Sequence, residues 1–236
     1  MRPFGKVIAF AFSLVALPVA ADVVYYDLTI RGFKVAELEV AAQETRRNYS
    51  VAGTINNTGL TRIVRKLNYS GTTRGTIKNR RLVPQTYSEQ ANTAGYDTAV
   101  SIGFQNGTPT QVNYVSNRGR EPDAPDPATL NGAVDPLTAI YGVLRDTPAQ
   151  HACDYDVTIY DGGRESRLIL QPNGRADGLP TCKGRYIRVR GYTADEVARH
   201  KQFDLLMWNR DLGDGMLAAD TVEFDTIYGK ARVVRR

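Results

Sequence analysis

The sequence predicts a mainly β protein, in which a curved antiparallel sheet forms a barrel or half-barrel around one short helix at about residues 135–145. Two observations lead to this fold class. Apolar and polar residues alternate along many short segments, which is the period of a half-buried strand. Turn-forming Gly, Asn and Asp residues separate these segments. Ten or more such strands are typical of a barrel or a strongly curved sheet.

The bulk composition is that of an ordinary globular protein. The chain has 236 residues, of which 42% are hydrophobic and 23% are charged. These values exclude a disordered, collagen-like or multi-span membrane chain. An all-β chain of this length commonly folds as one unit, so we expect a single β-rich domain over residues 22–236. A formal net charge of +5 is the unusual bulk property.

Residues 1–21 have the three-part layout of a secretory signal peptide. Arg2 and Lys6 provide a basic start, residues 7–17 form an apolar run, and small residues follow up to Ala21. The run is too short to span a bilayer comfortably, and an uncleaved anchor is the alternative. No later stretch is apolar enough to span a membrane, so we expect a soluble, exported protein. Arg2 and Lys6 would leave with the signal peptide, which removes two of the positive charges.

The first half of the mature chain predicts a series of hairpins. Apolar residues alternate with polar ones over residues 24–30 and 36–40, with Arg31-Gly32 as the turn between them. Asn106-Gly107 is a strong hairpin signal because both residues tolerate the positive φ angles of a type I′ turn. The further alternating segments of this half are 49–55, 69–77, 96–104 and 112–114.

Helical signals are scarce. Asp135 can cap the first free N–H groups of a helix, and Pro136 suits its first position. Four apolar residues then share one face, and the helix ends before Pro148. A capping box at Thr193 and Glu196 predicts a second helix start. A third, short helix-like apolar stripe covers residues 60–67. The apolar face of the first predicted helix, which begins at Pro136, consists of Leu137, Ile140, Tyr141 and Leu144.

Alternation resumes after the Pro-rich stretch around Pro125. The Asp161-Gly162-Gly163 turn joins two of the predicted strands. The alternating segments of this half are 155–159, 168–170, 187–189, 203–207, 222–224 and 231–233.

The chain has two cysteines, Cys153 and Cys182, and an oxidising compartment favours a disulfide between them. His151 lies two residues before Cys153, so a Cys–His nucleophilic pair is the alternative. An exported thiol with one available partner favours the structural disulfide.

Catalytic motifs are absent from the sequence. It contains no Gly-x-Ser-x-Gly elbow, no His-Glu-x-x-His zinc motif and no phosphate-binding loop. Asp211 and Asp214 lack the spacing of a calcium loop and are interpreted as turn residues. We therefore expect no catalytic residues, metal or cofactor. A hydrolase acting on envelope polymers through scattered carboxylates stays an alternative.

One strand combines basic and aromatic residues. Alternation places Ile187 and Val189 on one face, and the other face carries the candidate anion- or ligand-binding residues Tyr186, Arg188, Arg190 and Tyr192. Two guanidiniums flanked by tyrosines could hold a phosphate or a carboxylate. The alternative, which we favour, is that these four residues form a solvated outer face without a binding role. Because the remaining charge is dispersed, we expect a lipid or an envelope component rather than nucleic acid as a partner.

Four short motifs, at residues 134–141, 159–164, 182–186 and 229–231, resemble those of a family of exported bacterial proteins. This family is catalogued as domain of unknown function number 3108, and the likeness covers most of the mature chain. The resemblance implies a β-rich protein of the periplasm of a Gram-negative bacterium, and no catalytic residues can be carried over. By shape the family looks similar to the half-barrel lipid and lipoprotein carriers of that compartment.

The expected function is non-catalytic. It is either the binding of an apolar or amphipathic envelope ligand in the concavity of the sheet, or the support of envelope integrity through a partner. A structural protein–protein interaction module with a filled core is the alternative of a different class.

Overall fold

The structure, a computed structural model, describes residues 21–58, 67–93, 95–117 and 119–236. The predicted signal peptide, apart from Ala21, lies outside these residues, and so does nearly all of the helix-like stripe at 60–67. Within the described part of the chain, no helix has the length and apolarity that a membrane crossing requires.

The described residues form one antiparallel sheet of fourteen strands, which confirms the mainly β prediction. The strands of the first half are β1 (Asp22–Ile30), β2 (Phe33–Glu44), β3 (Asn48–Asn57), β4 (Leu67–Lys78), β5 (Arg81–Thr93), β6 (Tyr96–Gln105) and β7 (Thr108–Ser116). Those of the second half are β8 (Thr147–Pro148), β9 (Tyr155–Tyr160), β10 (Glu165–Ala176), β11 (Leu179–Arg190), β12 (Gln202–Gly213), β13 (Met216–Thr226) and β14 (Gly229–Arg235).

The order of the strands joins the first and last strands at the centre of the sheet. Each half is a meander of neighbouring hairpins, and β1 pairs with β14 to join the two halves. The short strand β8 lies off this path and pairs with β13. In the described residues β7 and β9 are the two ends of the path and do not pair with each other. The sheet is therefore open, not a closed barrel.

The predicted hairpin turns form as expected. Asn106 and Gly107 have φ angles of 51° and 81°, and Arg31 and Gly32 have φ angles of 50° and 84°. Two successive positive φ angles match the right-handed twist of the flanking strands, which explains the tight two-residue connections.

The free edge of β9 is covered by the segment that precedes the first helix. The Val134 N–H donates to the Thr158 carbonyl, and the Tyr160 N–H donates to the Val134 carbonyl, both at 2.9 Å. Gly162, in the next turn, lies so close to β6 and β7 that a Cβ there would be 2.8 Å from Val100. The two ends of the sheet thus approach each other without strand pairing.

Two short α-helices accompany the sheet, α1 (Pro136–Leu144) and α2 (Ala194–Arg199), and both begin at their predicted residues. In α1, Asp135 Oδ1 accepts from the Thr138 N–H at 2.8 Å. In α2, Thr193 and Glu196 make both hydrogen bonds of a capping box. Single 3₁₀ turns form at Pro127–Thr129 and Ala149–His151.

Helix α1 packs on one face of the sheet, which we call the inner face; the opposite face is the outer face. The helix contacts β3, β4 and β5 of the first half and β9 and β13 of the second half. A Cβ at Gly53 of β3 would lie 2.7 Å from Leu137, so this glycine admits the fully buried leucine. The apolar core follows the inner face, with Val51, Ile102 and Met207 among its buried residues.

Candidate functional site

The face of β11 that carries Tyr186 and Arg188 is the inner one. Cys182, on the same face, is fully buried, and a Cβ at Gly184 would lie 2.7 Å from Leu170 of the core. Val189, on the other face, is exposed. The prediction of a solvated outer face is therefore wrong for Tyr186, Arg188 and Tyr192, whereas Arg190, at the end of the strand, is exposed. Alternation defines two faces, but it does not tell which one is buried.

Three hydroxyl groups beside this strand form hydrogen bonds with one another. Ser166 Oγ lies 2.6 Å from the Tyr186 hydroxyl and 2.5 Å from the Tyr192 hydroxyl, and the two tyrosine hydroxyls lie 2.9 Å apart. Burial raises the pKa of Tyr192, which keeps its hydroxyl protonated as a donor. The cluster ties β10 to β11 and to the turn after it.

The two predicted arginines are engaged by other groups of the chain. Arg188 Nη1 donates to the carbonyls of Glu196 at 2.7 Å and His200 at 3.0 Å, at the end of α2. Its guanidinium also stacks on Tyr192. Arg190 Nε donates to Glu165 at 2.6 Å. These contacts favour a packing role, and the ligand-binding role of the four residues stays a prediction.

The two cysteines lie together, as the structural interpretation requires. The Sγ atoms of Cys153 and Cys182 are 2.03 Å apart, and the Cα atoms are 5.4 Å apart. His151 instead contacts Arg80, with Nε2 2.6 Å from Nη1. The geometry therefore supports the disulfide and not a Cys–His nucleophilic pair.

Three carboxyl groups lie near the inner face, of which Asp135 is fully buried and Asp161 and Glu89 are partly buried. Asp135 caps α1, and Asp161 accepts from the N–H groups of Gly163 and Arg164 in its own turn. Glu89 on β5 accepts from the Tyr87 hydroxyl, and burial raises the pKa of Glu89 to about 7. No group of His, Cys, Asp or Glu within the described residues could hold a metal ion.

A groove of about 590 Å³ lies on the outer face of β10–β13, and we call it the outer groove. Lys183 and Arg185, exposed on adjacent outer positions of β11, form part of its wall. The other outward-facing residues that line the outer groove are Ile169, Gln171, Asn173, Asp204, Leu206, Glu223, Asp225 and Lys230.

The cations in and beside the outer groove differ in their partners. Lys230 lies 2.9 Å from Glu223 Oε1, and Arg232 lies 2.8 Å from Glu223 Oε2, which lowers the pKa of Glu223. Lys183 and Arg185 make no ion pair within the described part of the chain. The outer groove therefore carries two cations without an ion pair on one strand, and Arg185 stands opposite Asp204 of β12 in the register.

A second depression of about 460 Å³ adjoins the outer groove. It shares Ile169 and Gln171 with the outer groove and reaches Cys153 and Pro180. The two depressions therefore adjoin at β10.

Sequence reasoning missed Lys183 and Arg185 as site residues. The signal that could have found them is Cys182, because a disulfide cysteine is among the most buried residues. If Cys182 marks the inner face, alternation sends Lys183 and Arg185 outward.

These features define a class of open antiparallel β-sheet protein with a helix on its inner face and an amphipathic groove on its outer face. A family profile described as "Protein of unknown function (DUF3108)" matches residues 24–202, and the chain belongs to this family. The resemblance identified in the sequence is thus confirmed.

Comparison with solved structures gives a distant match. The chain is similar to the crystal structure of a β-barrel-like protein of domain of unknown function DUF1849 from Brucella abortus, with a TM-score of 0.48 and 8% sequence identity. The alignment covers 94% of this chain and 98% of that chain. No curated protein matches the sequence significantly.

Proposed function

We propose that this protein is a non-catalytic periplasmic protein that binds an anionic, amphipathic molecule of the cell envelope in the outer groove. The observation that carries this proposal is the pair Lys183 and Arg185, two exposed cations without ion pairs in a groove of about 590 Å³. Two donors on one strand face suit a phosphate or carboxylate head group.

Each of these cations has an apolar neighbour directly opposite on an adjacent strand. Arg185 pairs in register with Ile169 of β10, and Lys183 pairs with Leu206 of β12. Side chains opposite each other in antiparallel strands lie about 5 Å apart. A ligand with an acidic head and an alkyl chain therefore finds both chemistries in the outer groove.

The inner face is a less suitable ligand site, although the expected carrier architecture would place the ligand there. We propose that the open sheet is a half-barrel around α1, because the helix contacts strands of both halves. Buried residues such as Leu137 and Val51 fill the space between helix and sheet. This filled core also supports the second candidate function, an interaction module that binds a protein partner.

Export supports the envelope as the source of the ligand. Residues 1–21 have the pattern of a signal peptide, and the cysteine pair is at disulfide distance, which suits an oxidising compartment. An exported protein meets lipids, lipid fragments and envelope polymers rather than cytosolic metabolites.

Calorimetric titration with lysophosphatidylglycerol, below its critical micelle concentration, tests the proposal. We expect binding by the mature wild-type protein and at least tenfold weaker binding by K183A/R185A, since each lost charge-assisted bond is worth about 1.5–3 kcal/mol. Lysophosphatidylcholine reports the contribution of the alkyl chain, and inorganic phosphate reports that of the head group.

The variant R74A/K78A is the matched control. Arg74 and Lys78 are exposed cations of β4, outside the outer groove, and their removal changes the net charge equally. Equal loss of affinity in both double variants would contradict the site, and undetectable binding by the wild type would contradict the proposed function.

A further inference from the structure

Exposed apolar side chains concentrate at one end of the sheet. This end, which we call the tip end, carries the turns between β1 and β2, β5 and β6, and β13 and β14. Of the nine large hydrophobic residues exposed in the described chain, Phe33, Tyr96, Val115, Val189, Ile227 and Tyr228 lie at the tip end, and Val23, Tyr25 and Leu212 lie at the opposite end.

Two hairpins of the tip end are direct neighbours. Because β1 pairs with β14, Ile30 lies opposite Ala231, and the turns that follow and precede them adjoin. Phe33, which closes one turn, is 76% exposed, and Ile227, in the other turn, is 57% exposed. Such side chains on a monomer surface mark an interaction site when they cluster.

One cation lies beside these two turns. The Arg31 side chain extends over Gly229, where a Cβ would lie 2.8 Å from Arg31 Nε. Arg31 makes no ion pair within the described residues, in contrast to Lys34, which lies 2.9 Å from Asp27. The adjoining hairpins therefore combine two exposed apolar side chains with an available positive charge.

We infer that the tip end docks on the surface of an anionic lipid bilayer, with Phe33 and Ile227 inserted at the level of the head groups. Apolar residues beside cations have the chemistry of membrane-surface binding. The side chains stand on separate hairpin turns, and a fluid interface accepts each one individually. A stable protein interface instead needs about 800 Å² of continuous complementary surface per partner.

This inference goes beyond the proposed function and uses different residues. The outer groove binds one molecule, whereas the tip end contacts an assembled membrane. A protein that lacks groove activity could still dock, and a protein that binds a ligand could do so without docking.

Flotation with vesicles tests the inference. The mature wild-type protein should float with vesicles of phosphatidylethanolamine and phosphatidylglycerol at 3:1, and much less with phosphatidylcholine vesicles. F33S/I227S should reduce binding at least tenfold, because burial of a large apolar side chain is worth about a factor of ten or more. R31N should reduce it about fivefold and weaken its salt dependence, and Asn tolerates the positive φ of this position.

V23S/L212S is the matched control, because Val23 and Leu212 are each 44% exposed and lie at the opposite end of the sheet. It should float like the wild type. K183A/R185A should keep more vesicle binding than F33S/I227S, which separates docking from ligand binding. Phe33→Trp in a Trp208→Phe background should show a blue shift of fluorescence on adding vesicles, a readout that does not require the serine variant.

Three outcomes would overturn the inference. They are absence of wild-type flotation, equal loss in F33S/I227S and V23S/L212S, and a fluorescence of the Phe33→Trp protein that vesicles leave unchanged. Concentration-dependent self-association without vesicle binding, abolished in F33S/I227S, would assign the tip end to a second copy of this chain instead.

Discussion

The Asp135 side chain accepts several hydrogen bonds that hold α1 in place. Its Oδ1 accepts from the Thr138 N–H, and its Oδ2 accepts from the hydroxyls of Thr138 at 2.6 Å and Thr73 at 2.9 Å. Tyr49 continues the network, with its hydroxyl 2.9 Å from Thr138 Oγ1. The residue therefore caps α1 and fixes the helix against β3 and β4.

Burial of Asp135 makes the stability of the fold depend on pH. Desolvation raises the pKa of this carboxyl to about 6, against about 4 in an unfolded chain. The folded state then binds the proton more tightly than the unfolded state between these two values. The free energy of unfolding should fall by up to about 3 kcal/mol as pH rises from about 4 to about 6.

Asp135→Asn should remove this contribution, because an amide keeps the capping oxygen and does not titrate. We expect a flatter dependence of the free energy of unfolding on pH than in the wild type, measured by urea denaturation at pH 4, 5, 6 and 7. Asp126→Asn is the control, since Asp126 also caps a helical turn, through the Ala128 N–H, but is exposed. A wild-type slope retained in D135N would contradict the assignment.

At the level of single elements, the sequence predicts what local chemistry determines. Asp135 and Pro136 start α1, Thr193 starts α2, and Asn106-Gly107 forms its turn. Each depends on a few neighbouring residues whose dihedral preferences or hydrogen bonds favour one conformation. These features are correct because tertiary packing does not oppose them.

In strand β11, local sequence patterns do not predict which face is buried. Its alternation is real, but Ile187 and Val189 are not more buried than Tyr186 and Arg188. An arginine becomes an inner residue where carbonyls and aromatic rings meet it, as Glu196 and Tyr192 do for Arg188. Such partners come from later elements, and a pattern within one strand does not contain them.

The cysteine pair is an element-level link whose contribution to stability can be measured. It closes a loop with a sequence separation of 29, from the turn before β9 to β11. The chain-entropy relation gives about 3–4 kcal/mol for such a loop. In a protein of this size, C153A/C182A should lower Tm by roughly 10 °C.

Reductant provides the internal control for this change. It should lower the Tm of the wild type to about that of C153A/C182A and leave the Tm of the variant unchanged. A wild-type Tm that is insensitive to reductant under unfolding conditions would show that the pair does not stabilise the fold.

At the scale of the whole molecule, the periodicity of the sequence does not predict the order of the strands in the sheet. Pairing of β1 with β14 joins residues such as Tyr26 and Arg235, far apart in the chain, and no local signal specifies it. The outer groove depends on strand register, because the three neighbouring strands β10, β11 and β12 must be in register before Arg185 faces Ile169 and Lys183 faces Leu206. A large antiparallel sheet of ten or more strands could be predicted, whereas its strand order, its openness and the outer groove could not.

This order also bears on whether residues 22–236 fold as one domain, which we propose. Helix α1 contacts both halves, the Tyr26 hydroxyl donates to the Leu144 carbonyl, and Arg235 lies 2.9 Å from Asp146. If these contacts couple the halves, a defect in one half must destabilise the other. Two independent domains would instead unfold in separate transitions.

Val51→Ala tests this coupling, because Val51 is buried in β3 of the first half, whereas the single tryptophan, Trp208, lies on β12 of the second half. The cavity should cost about 2 kcal/mol. In a domain of this size that lowers Tm by roughly 6 °C. One domain requires the same shift in Trp208 fluorescence and in far-UV circular dichroism. Ser50→Ala, at an exposed neighbouring position of β3, should leave both transitions unchanged. A shift confined to circular dichroism would divide the chain at the β1–β14 junction.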